Sequence, residues 1–485
     1  MTLEIKANPK PTSVIIDAVY VKTGVERHDG NPLIEALPKL PQRIIEFDNL
    51  VEYMPPKPTE KTRRQSEVVR MMEAMTLTDI VYAFPEYSKA CQDIVTLMCE
   101  AYVSRNPLTA EDVRRRHALA TGQRDGVRRP MNWKSHASGL LIIAATGMGK
   151  TTLLESLVLL LPQVIRHTKY HGIYVPTKYQ VVCVYLRVPH NGTLSALCLQ
   201  FFRKIDELLG TDYTREARGI RNIAAMVEMM NRVATAVSIS FIVVDELQNL
   251  RNVRTEHADI VLNYFAELIE GLGIGVICLA TPAVHGVLEK SVRNIRKISS
   301  ESSVILPLMR KRDLENRGDS DPTWKTFCEV YWDYTYVKNK PRLSKDTMDV
   351  WHDVSAGNTA FAVSAFLLTQ RHEIGRREIV DIDGLKRTAA VDMAFLQPAI
   401  AALRSGKKEQ LMKFDDLLYG ERYRQIQKLL GIECAQEDGA DEVQEFEEID
   451  EGIAKSEKRK QRRGKAKSAQ NDWSKDIPMR DPLVL

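Results

Sequence analysis

Apolar residues gather in five short runs between residues 140 and 308, and each run has the length of a β-strand. The runs are LLIIA (140–144), VVCVYLR (181–187), ISFIVVD (239–245), IGVICLA (274–280) and SSVILPL (302–308). The segments between them, such as TTLLESLVLLL and ADIVLNYFAELIEGLG, have the period of helices. Near-continuous apolar strands that alternate with helices predict a parallel sheet covered on both faces. We therefore predict an α/β fold with a five-stranded parallel sheet.

Other regions flank this core, which we place at residues 133–310. Residues 1–60 mix short apolar stretches with many prolines, which predicts an extended N-terminal arm. Residues 61–132 have helical apolar spacing followed by a basic stretch with Gly and Pro, which predicts a helical region and a basic linker. Residues 311–432 contain no comparable strand and predict a helical lid with C-terminal helices.

The last region, residues 433–485, is divided by charge. Residues 433–451 are acidic and contain no Lys or Arg, whereas KSEKRKQRRGKAK (455–467) carries eight basic residues and one Glu. Adjacent blocks of opposite charge with few aromatic residues bury too little apolar surface to fold. We therefore predict a disordered, charged C-terminal tail that contacts partners.

Composition narrows the class of protein. The 485 residues are 44% apolar and 27% charged, as in a soluble globular protein of roughly two to four domains. The first residues carry charge where a signal peptide is apolar, and no run approaches the ~18 apolar residues that span a bilayer, so we expect a cytoplasmic protein. The seven cysteines are scattered without CxxC pairs, which predicts neither a disulfide framework nor a zinc site.

A phosphate-binding loop follows the first strand. Residues 144–152 read AATGMGKTT and meet the pattern GxxxxGK[ST] except at its first position, where Ala144 replaces Gly. Glycines let the backbone N–H groups curl around phosphates, and a helix N-terminus adds positive potential. The alternative is a glycine-rich turn before an apolar helix. We predict that ATP is held by Thr146, Gly147, Met148, Gly149, Lys150, Thr151 and Thr152, with Lys150 on the β- and γ-phosphates and Thr151 on Mg²⁺.

Acidic and polar residues end the third and fourth strands. The third strand ends in Asp245 and Glu246, where an ATPase holds magnesium and the attacking water. We predict that Asp245 holds the metal and that Glu246 orients and deprotonates the water; the alternative is a strand end capped by solvated acids. The fourth strand runs into Thr281, which we predict to contact the γ-phosphate or the water, unless it is a plain turn residue.

Two arginines precede the fifth strand. Arg293 and Arg296 are candidates for an arginine finger that reaches the nucleotide of a neighbouring subunit. The alternative is that both are surface charges. Their assignment depends on assembly of the chain into a ring.

With these residues in hand, the chain resembles the AAA+ transposition regulators of the TnsC/TniB family, and TnsC in particular. The resemblance rests on GNPLIEALP (30–38), YVSRNP (102–107), ASGLLIIAATGMGKTT, YQVVCVYLRVP, VDELQNL and CLATPA. The segment SAGNTAFAVSAFLL is similar to the family's sensor 2 helix in the lid but lacks the sensor arginine.

This resemblance implies a Mg²⁺-dependent ATPase that oligomerises on double-stranded DNA as a ring or helical filament in the bacterial cytoplasm. It would couple a target-site selector of the TnsD/TniQ kind to transposase subunits of the TnsA/TnsB kind. The implied DNA-facing helices follow the second strand and carry Thr193, Arg203, Lys204, Arg215, Arg218 and Arg221. The linker arginines 114–116 are a weaker second choice.

Two other functions fit the same motifs. One is another DNA-loading AAA+ ATPase, such as a replication initiator or helicase loader. The other is a nucleotide-dependent interaction protein that does not bind DNA. An ordinary net charge of +4 does not separate these readings, because the total is too small to identify a nucleic-acid binder.

Overall fold

The fold was analysed in a computed structural model of the chain. It describes residues 15–39, 41, 44–47, 51–120, 133–253, 255–288, 292–313, 316, 318–411 and 413–414. The predicted tail at 433–485 lies outside these residues, as does the linker segment 121–132.

Ten strands are described. They are β1 (Ile15–Asp17), β2 (Gly139–Ala144), β3 (Val164–Arg166), β4 (Lys169–Tyr170), β5 (Ile173–Tyr174), β6 (Tyr179–Val181), β7 (Cys183–Arg187), β8 (Phe241–Asp245), β9 (Gly275–Ala280) and β10 (Ser302–Leu306). Five of them form one sheet in the order β10-β2-β9-β8-β7, and every neighbouring pair in it is parallel. The predicted five-stranded parallel sheet is therefore confirmed.

The α-helices cover this sheet and build the regions around it. Their bounds are Pro32–Glu35, Glu60–Arg63, Glu67–Glu73, Pro85–Val103, Ala110–Ala120, Lys150–Leu160, Leu194–Leu209, Tyr213–Gly219, Ile223–Ala236, Thr255–Glu267, His285–Leu288, Val292–Ile298, Pro322–Trp332, Lys345–Ser355, Thr359–Glu373, Ile382–Ala390, Gln397–Ser405 and Lys408–Leu411. Short 3-10 turns include Ala74–Thr78 and Leu247–Asn252. None of the described helices is long and apolar enough to cross a membrane.

Alternate residues of the sheet enter two separate cores, because successive strand residues point to opposite faces. Leu140 and Ile142 of β2 pack in the core that includes the helices Pro85–Val103 and Lys150–Leu160. Leu141 and Ile143 of the same strand pack in the core that includes Leu194–Leu209 and Thr255–Glu267. This two-sided burial explains why β2 reads as a continuous apolar run.

A second, smaller sheet joins the N-terminal segment to the core. β1 pairs in parallel with β3, and β3 pairs antiparallel with β6. Val181 belongs to β6, so the predicted strand 181–187 begins at Cys183 in the large sheet. The predicted start of this strand at residue 181 is therefore wrong, because Val181 pairs with β3 of the small sheet. The sequence does not show this change because the apolar run is continuous.

The lid-forming helices after β10 surround an aromatic core. Trp324, Trp351 and Phe366 are fully buried, and the rings of Trp351 and Phe366 stack with centroids 4.7 Å apart. Together with the order of the large sheet, this arrangement is the AAA+ P-loop fold with a helical lid that the sequence predicts.

Candidate nucleotide-binding site

The phosphate loop lies at the carboxyl-end edge of the large sheet, where parallel sheets bind ligands. It leaves the fully buried strand β2 at Ala144 and ends at the helix that begins with Lys150. Gly147 and Gly149 have φ angles of 89° and 78°, in the left-handed region that favours glycine. The loop therefore needs glycine at both positions to turn its backbone toward a bound phosphate.

Neighbouring side chains fill the space that the two glycines leave. The Tyr87 hydroxyl lies beside Gly149 and donates a hydrogen bond to the carbonyl of Met148 at 3.0 Å. Burial raises the pKa of Tyr87, so this hydroxyl stays protonated and remains a donor. A side chain at Gly147 would meet Asn358 of the lid. The loop is thus held by the helix Pro85–Val103 and by the lid.

The lid contacts the loop through hydrogen bonds, two of which reach backbone carbonyls of the loop. Asn358 Nδ2 donates to the carbonyl of Thr146 at 2.9 Å, and the N–H of Ala360 donates to the carbonyl of Gly147 at 3.0 Å. Asn358 also caps its own helix by accepting from the N–H of Phe361. The side-chain amide of Asn358 and the backbone amide of Ala360 therefore join the lid to the loop. Among the described residues that line the cleft, Lys150 is the only Lys or Arg.

Lys150 spans the top of the loop. Its Nζ donates to the carbonyls of Ala144 and Ala145, at 2.8 and 3.3 Å. These are neutral acceptors, and a phosphate oxygen is a stronger partner for an ammonium group. The contacts place the ammonium group within reach of a phosphate bound in the loop.

Asp245 is the last residue of β8 and is almost completely buried. The Tyr185 hydroxyl of the neighbouring strand donates a short hydrogen bond to Asp245 Oδ2, and the N–H of Glu246 donates to Oδ1 at 2.7 Å. Burial, with the hydrogen bond to Asp245, raises the pKa of Tyr185 and keeps its hydroxyl a donor. The carboxylate is therefore fixed in one orientation at the edge of the sheet.

Glu246 and Thr281 lie at the ends of adjacent strands and are joined by Gln248. Gln248 Nε2 donates to Glu246 Oε2 at 2.5 Å, and Gln248 Oε1 accepts from the N–H of Thr281 at 3.1 Å. The Thr281 hydroxyl is buried and has no hydrogen-bond partner among the described residues. A buried hydroxyl without a partner is costly, so this group fits a ligand oxygen.

The cleft between these elements has a volume of about 420 Å³. Besides the loop and the acids, it is lined by an apolar and aromatic wall from the segment 77–87, by Tyr331 and by the first turns of the helix Thr359–Glu373. An isolated bridge between Tyr53 and Val81 holds this wall. The polar end of the cleft suits a triphosphate, and the apolar end suits a planar base.

The structure brings together most of the residues that the sequence singled out for nucleotide chemistry. The lining includes Thr146, Gly147, Gly149, Lys150, Thr151, Thr152, Asp245, Glu246 and Thr281. The side chain of Met148 is buried instead and lines an adjacent cavity with Phe84 and Tyr87. Thr151 and Asp245 are an oxygen-donor pair suited to Mg²⁺, which a bound triphosphate would complete.

The two arginines proposed as fingers lie on the helix Val292–Ile298. Arg296 is exposed, beside Glu270 and Lys297, and does not line the cleft. The side chain of Arg293 lies outside the described residues. A finger acts on a neighbouring subunit, so this position leaves both assignments as predictions.

The candidate DNA contacts differ in how they are paired. Lys204 pairs with Glu207 and Arg215 pairs with Asp212, both at 2.7 Å. Thr193 is half-buried and precedes the helix Leu194–Leu209. Three exposed arginines have no ion-pair partner in the part of the chain that the structure describes: Arg203, Arg218 and Arg221.

Two of the three linker arginines, the second choice of DNA contacts, have partners inside the protein. Arg115 is 2% exposed, bonds to Asp112 and lies over the Trp133 ring. Arg116 also bonds to Asp112 and donates to Ser238. Both guanidinium groups are committed to a buried network, because Asp112 needs charged partners inside the protein.

Sequence patterns missed several residues of the site. Tyr87 lies outside the quoted motifs, and Tyr185 lies inside the quoted strand YQVVCVYLRVP without being singled out. Only the fold brings Tyr87 to the loop and Tyr185 to the acid. Gln248 and Asn358 lie inside quoted motifs, VDELQNL and SAGN, whose spacing was itself the available signal. Neither residue type is diagnostic of nucleotide binding without the contacts.

One comparison with known proteins matches the core of the chain. A family model described as an AAA domain matches residues 132–288, which include the phosphate loop, Asp245, Glu246 and Thr281. This segment of the chain is therefore similar to an AAA domain. No curated protein matches it significantly.

Solved structures are similar to the chain at low sequence identity. A Walker-type ATPase of Pyrococcus abyssi is 13% identical with a TM-score of 0.33, and the match covers 61% of this chain and 77% of that one. An Orc1 protein of Aeropyrum pernix, solved with DNA, is 15% identical with a TM-score of 0.37, covering 70% and 84%. A Cdc6p of Pyrobaculum aerophilum is 14% identical with a TM-score of 0.34, covering 68% and 73%.

Proposed function

We propose that this chain is a Mg²⁺-dependent ATPase that assembles on duplex DNA and regulates transposition. The observation that carries the ATPase assignment is the convergence of the phosphate loop, Asp245, Glu246 and the unpartnered Thr281 hydroxyl in one cleft. The transposition role rests on the TnsC/TniB resemblance of the sequence. The exposed arginines after β7 support DNA binding.

Each polar residue of the cleft has a separate role in the proposed hydrolysis. Lys150 neutralises charge on the β- and γ-phosphates, and the loop N–H groups fix their position. Glu246 accepts a proton from the attacking water, while Thr281 Oγ1 donates a hydrogen bond to the γ-phosphate or the water. Thr151 and Asp245 would hold Mg²⁺, which supplies charge neutralisation on the phosphates when bound. Tyr185 keeps the Asp245 carboxylate in place.

Assembly on DNA would make the ATPase a switch between partners. Backbone contacts repeated along a filament supply affinity without sequence information, so a separate selector of the TnsD/TniQ kind would choose the site. Transposase subunits of the TnsA/TnsB kind would then dock, with the C-terminal tail as a contact. Arg293 or Arg296 would complete a neighbouring subunit's site.

Two substitutions test the ATPase assignment. Lys150→Ala should abolish binding of a fluorescent ATP analogue, because the triphosphate loses its main cationic partner. Glu246→Gln should bind the analogue with unchanged affinity, release phosphate at only a small residual rate and accumulate assemblies on duplex DNA, visible by electron microscopy. Normal phosphate release by Glu246→Gln would exclude Glu246 as the base, and identical assemblies of wild type with and without nucleotide would exclude the switch.

A further inference from the structure

Among the described residues, Gln248 is the one whose side chain forms hydrogen bonds with both Glu246 and Thr281. We propose that it is a positioning residue, which sets the Glu246 carboxylate according to the state of the Thr281 strand end. This role rests on the proposed ATPase function. It goes beyond that function because the position of the Glu246 carboxylate then depends on Thr281.

The Gln248 amide is held so that its two ends are not interchangeable. The side chain is 6% exposed, and its oxygen is engaged by the N–H of Thr281. An amide has one acceptor oxygen and one donor nitrogen, so this contact leaves only the nitrogen to face Glu246. The hydrogen bond to Glu246 is therefore a donation to a carboxylate, which is the stronger, charge-assisted kind.

The turn that carries Gln248 is rigid on its buried side. Leu247 and Leu250 flank it and are 0% and 1% exposed in the core beneath the sheet. Asn249 Nδ2 donates to the carbonyl of Val188 at 2.9 Å, which ties the turn to the segment after β7. The Gln248 side chain can therefore move relative to Glu246 while the backbone of the turn stays in place.

Glu246 itself needs such a restraint. Its φ angle of 59° and ψ angle of 40° place it in the left-handed region, which is uncommon for a residue with a side chain. Residues held in that region by surrounding contacts cluster at functional sites. Among the described residues, Gln248 is the one whose side chain donates a hydrogen bond to the half-exposed carboxylate.

The proposed coupling begins at the unpartnered Thr281 hydroxyl, where the γ-phosphate would bind. A γ-phosphate oxygen at Thr281 Oγ1 would pull the end of β9, and the N–H of the same residue would carry that movement to Gln248 Oε1. The nitrogen of the same amide group then moves the Glu246 carboxylate. The base is thereby placed for attack when the γ-phosphate is present.

Two variants separate the ends of the amide. Gln248→Glu keeps an acceptor for the N–H of Thr281 but replaces the donor to Glu246 with a carboxylate. Gln248→Met has similar length and loses both hydrogen bonds. We expect kcat for phosphate release to fall by about tenfold to a hundredfold in both, the loss typical of a misplaced catalytic group. KM and the Kd for a fluorescent ATP analogue should stay within about twofold, because Gln248 does not itself line the cleft.

Asn249→Ala is the matched control, because it loosens the same turn without touching the Glu246 side chain. Its kcat should stay near that of wild type. A fall in kcat equal to that of Gln248→Met would show that the turn needs only general rigidity and would overturn the proposal. Wild-type kcat in Gln248→Glu, or a loss confined to KM, would also overturn it.

A double variant decides whether Gln248 acts through the base. In a Glu246→Gln background, Gln248→Met should cause no further loss of the residual turnover, whereas independent roles would give multiplied losses. Wild-type protein assayed alongside separates the two hypotheses. If wild type hydrolyses no ATP, the proposed function fails; if wild type turns over and the Gln248 variants match it, only the positioning role fails.

Discussion

Tyr87 is the residue through which the helix Pro85–Val103 contacts the phosphate loop. Its hydroxyl donates to the Met148 carbonyl, and its ring is 3% exposed against the loop. Gly149 leaves the space that this hydroxyl occupies. The loop is therefore shaped by a side chain more than 60 residues away in sequence, as well as by its own glycines.

We predict that Tyr87→Phe weakens both the loop and nucleotide binding. The substitution removes one hydrogen bond and leaves the buried Met148 carbonyl without this donor. The loss should lower the free energy of unfolding by about 1 kcal/mol. Urea unfolding measures this loss, and titration with a fluorescent ATP analogue should show weaker binding. Tyr334→Phe is the control, because its hydroxyl makes the same kind of bond to the Pro55 carbonyl away from the cleft. Equal effects of both variants on nucleotide affinity would contradict the assignment.

The sequence was informative at the residue scale where the chemistry is encoded locally. Glycine spacing, Lys150 and the acids after an apolar strand predict the cleft, because a tight turn and a strand end restrict which residues fit. The sequence does not predict the contact of Tyr185 with Asp245, since an aromatic residue in a strand is ordinarily part of a core. Only the pairing of β7 with β8 places its hydroxyl on Asp245.

The same contrast holds at the scale of elements. All five strands of the large sheet were predicted to within two residues at each end, because burial on both faces gives each a continuous apolar run. The small sheet was missed. β1 and β3 have three residues each and lie almost 150 residues apart in sequence, so neither has a local pattern that names its partner.

One buried ion pair joins the helix Glu67–Glu73 to the loop that follows the lid helix Thr359–Glu373. Arg70 donates two hydrogen bonds to Glu378, at 2.7 and 2.6 Å, and is 0% exposed. The N–H groups of Gly375 and Lys338 also donate to this carboxylate. The hydrogen bonds from Arg70 lower the pKa of Glu378 to about 2, against an ordinary value of 4.5.

We predict that this pair makes stability depend on pH below about 5. Because the pKa of Glu378 is depressed in the folded state, its contribution is complete above the ordinary value of 4.5 and is lost as pH falls toward about 2. Glu378→Gln should therefore lower the unfolding free energy at neutral pH, by about 3–5 kcal/mol if Arg70 is left unpaired. The gap to wild type should narrow between about pH 5 and pH 2.

Urea unfolding at several pH values measures this gap. Asp17→Asn is the control, since Asp17 pairs with Arg166 on the surface and should change stability little. A gap between Glu378→Gln and wild type that stays constant down to pH 2 would refute the role of ionised Glu378. The ion pair connects two structural elements, so the prediction is tested by the free energy of unfolding and not by nucleotide binding.

At the scale of the whole molecule, basic residues are arranged unevenly on the helices after β7. Lys204 and Arg215 have acidic partners within a turn of their own helices, whereas Arg203, Arg218 and Arg221 are exposed without a partner among the described residues. A lysine already paired with an acid must give up that contact to bind a phosphate. The unpaired arginines are therefore the better candidates for DNA contacts.

We predict that reversing Arg203 and Arg218 to Glu weakens duplex binding and flattens its dependence on salt. Each phosphate contact contributes about 0.9 to the slope of log K against log salt, because binding releases counterions. Losing two contacts per subunit should lower the slope by about two per subunit bound, for any DNA sequence. Binding isotherms at several salt concentrations, with a non-hydrolysable ATP analogue present, measure this slope.

The control must change charge equally at another place. Lys325 and Lys386 are exposed on lid helices, and reversing both changes the net charge by the same four units. A loss of affinity in both double variants would show that only the total charge matters. An unchanged slope in the arginine variant would place the DNA surface elsewhere and would not affect the assignment of the proposed nucleotide cleft. A loss confined to the arginine variant would assign these helices to the DNA, since phosphate contacts act only where the protein meets the backbone.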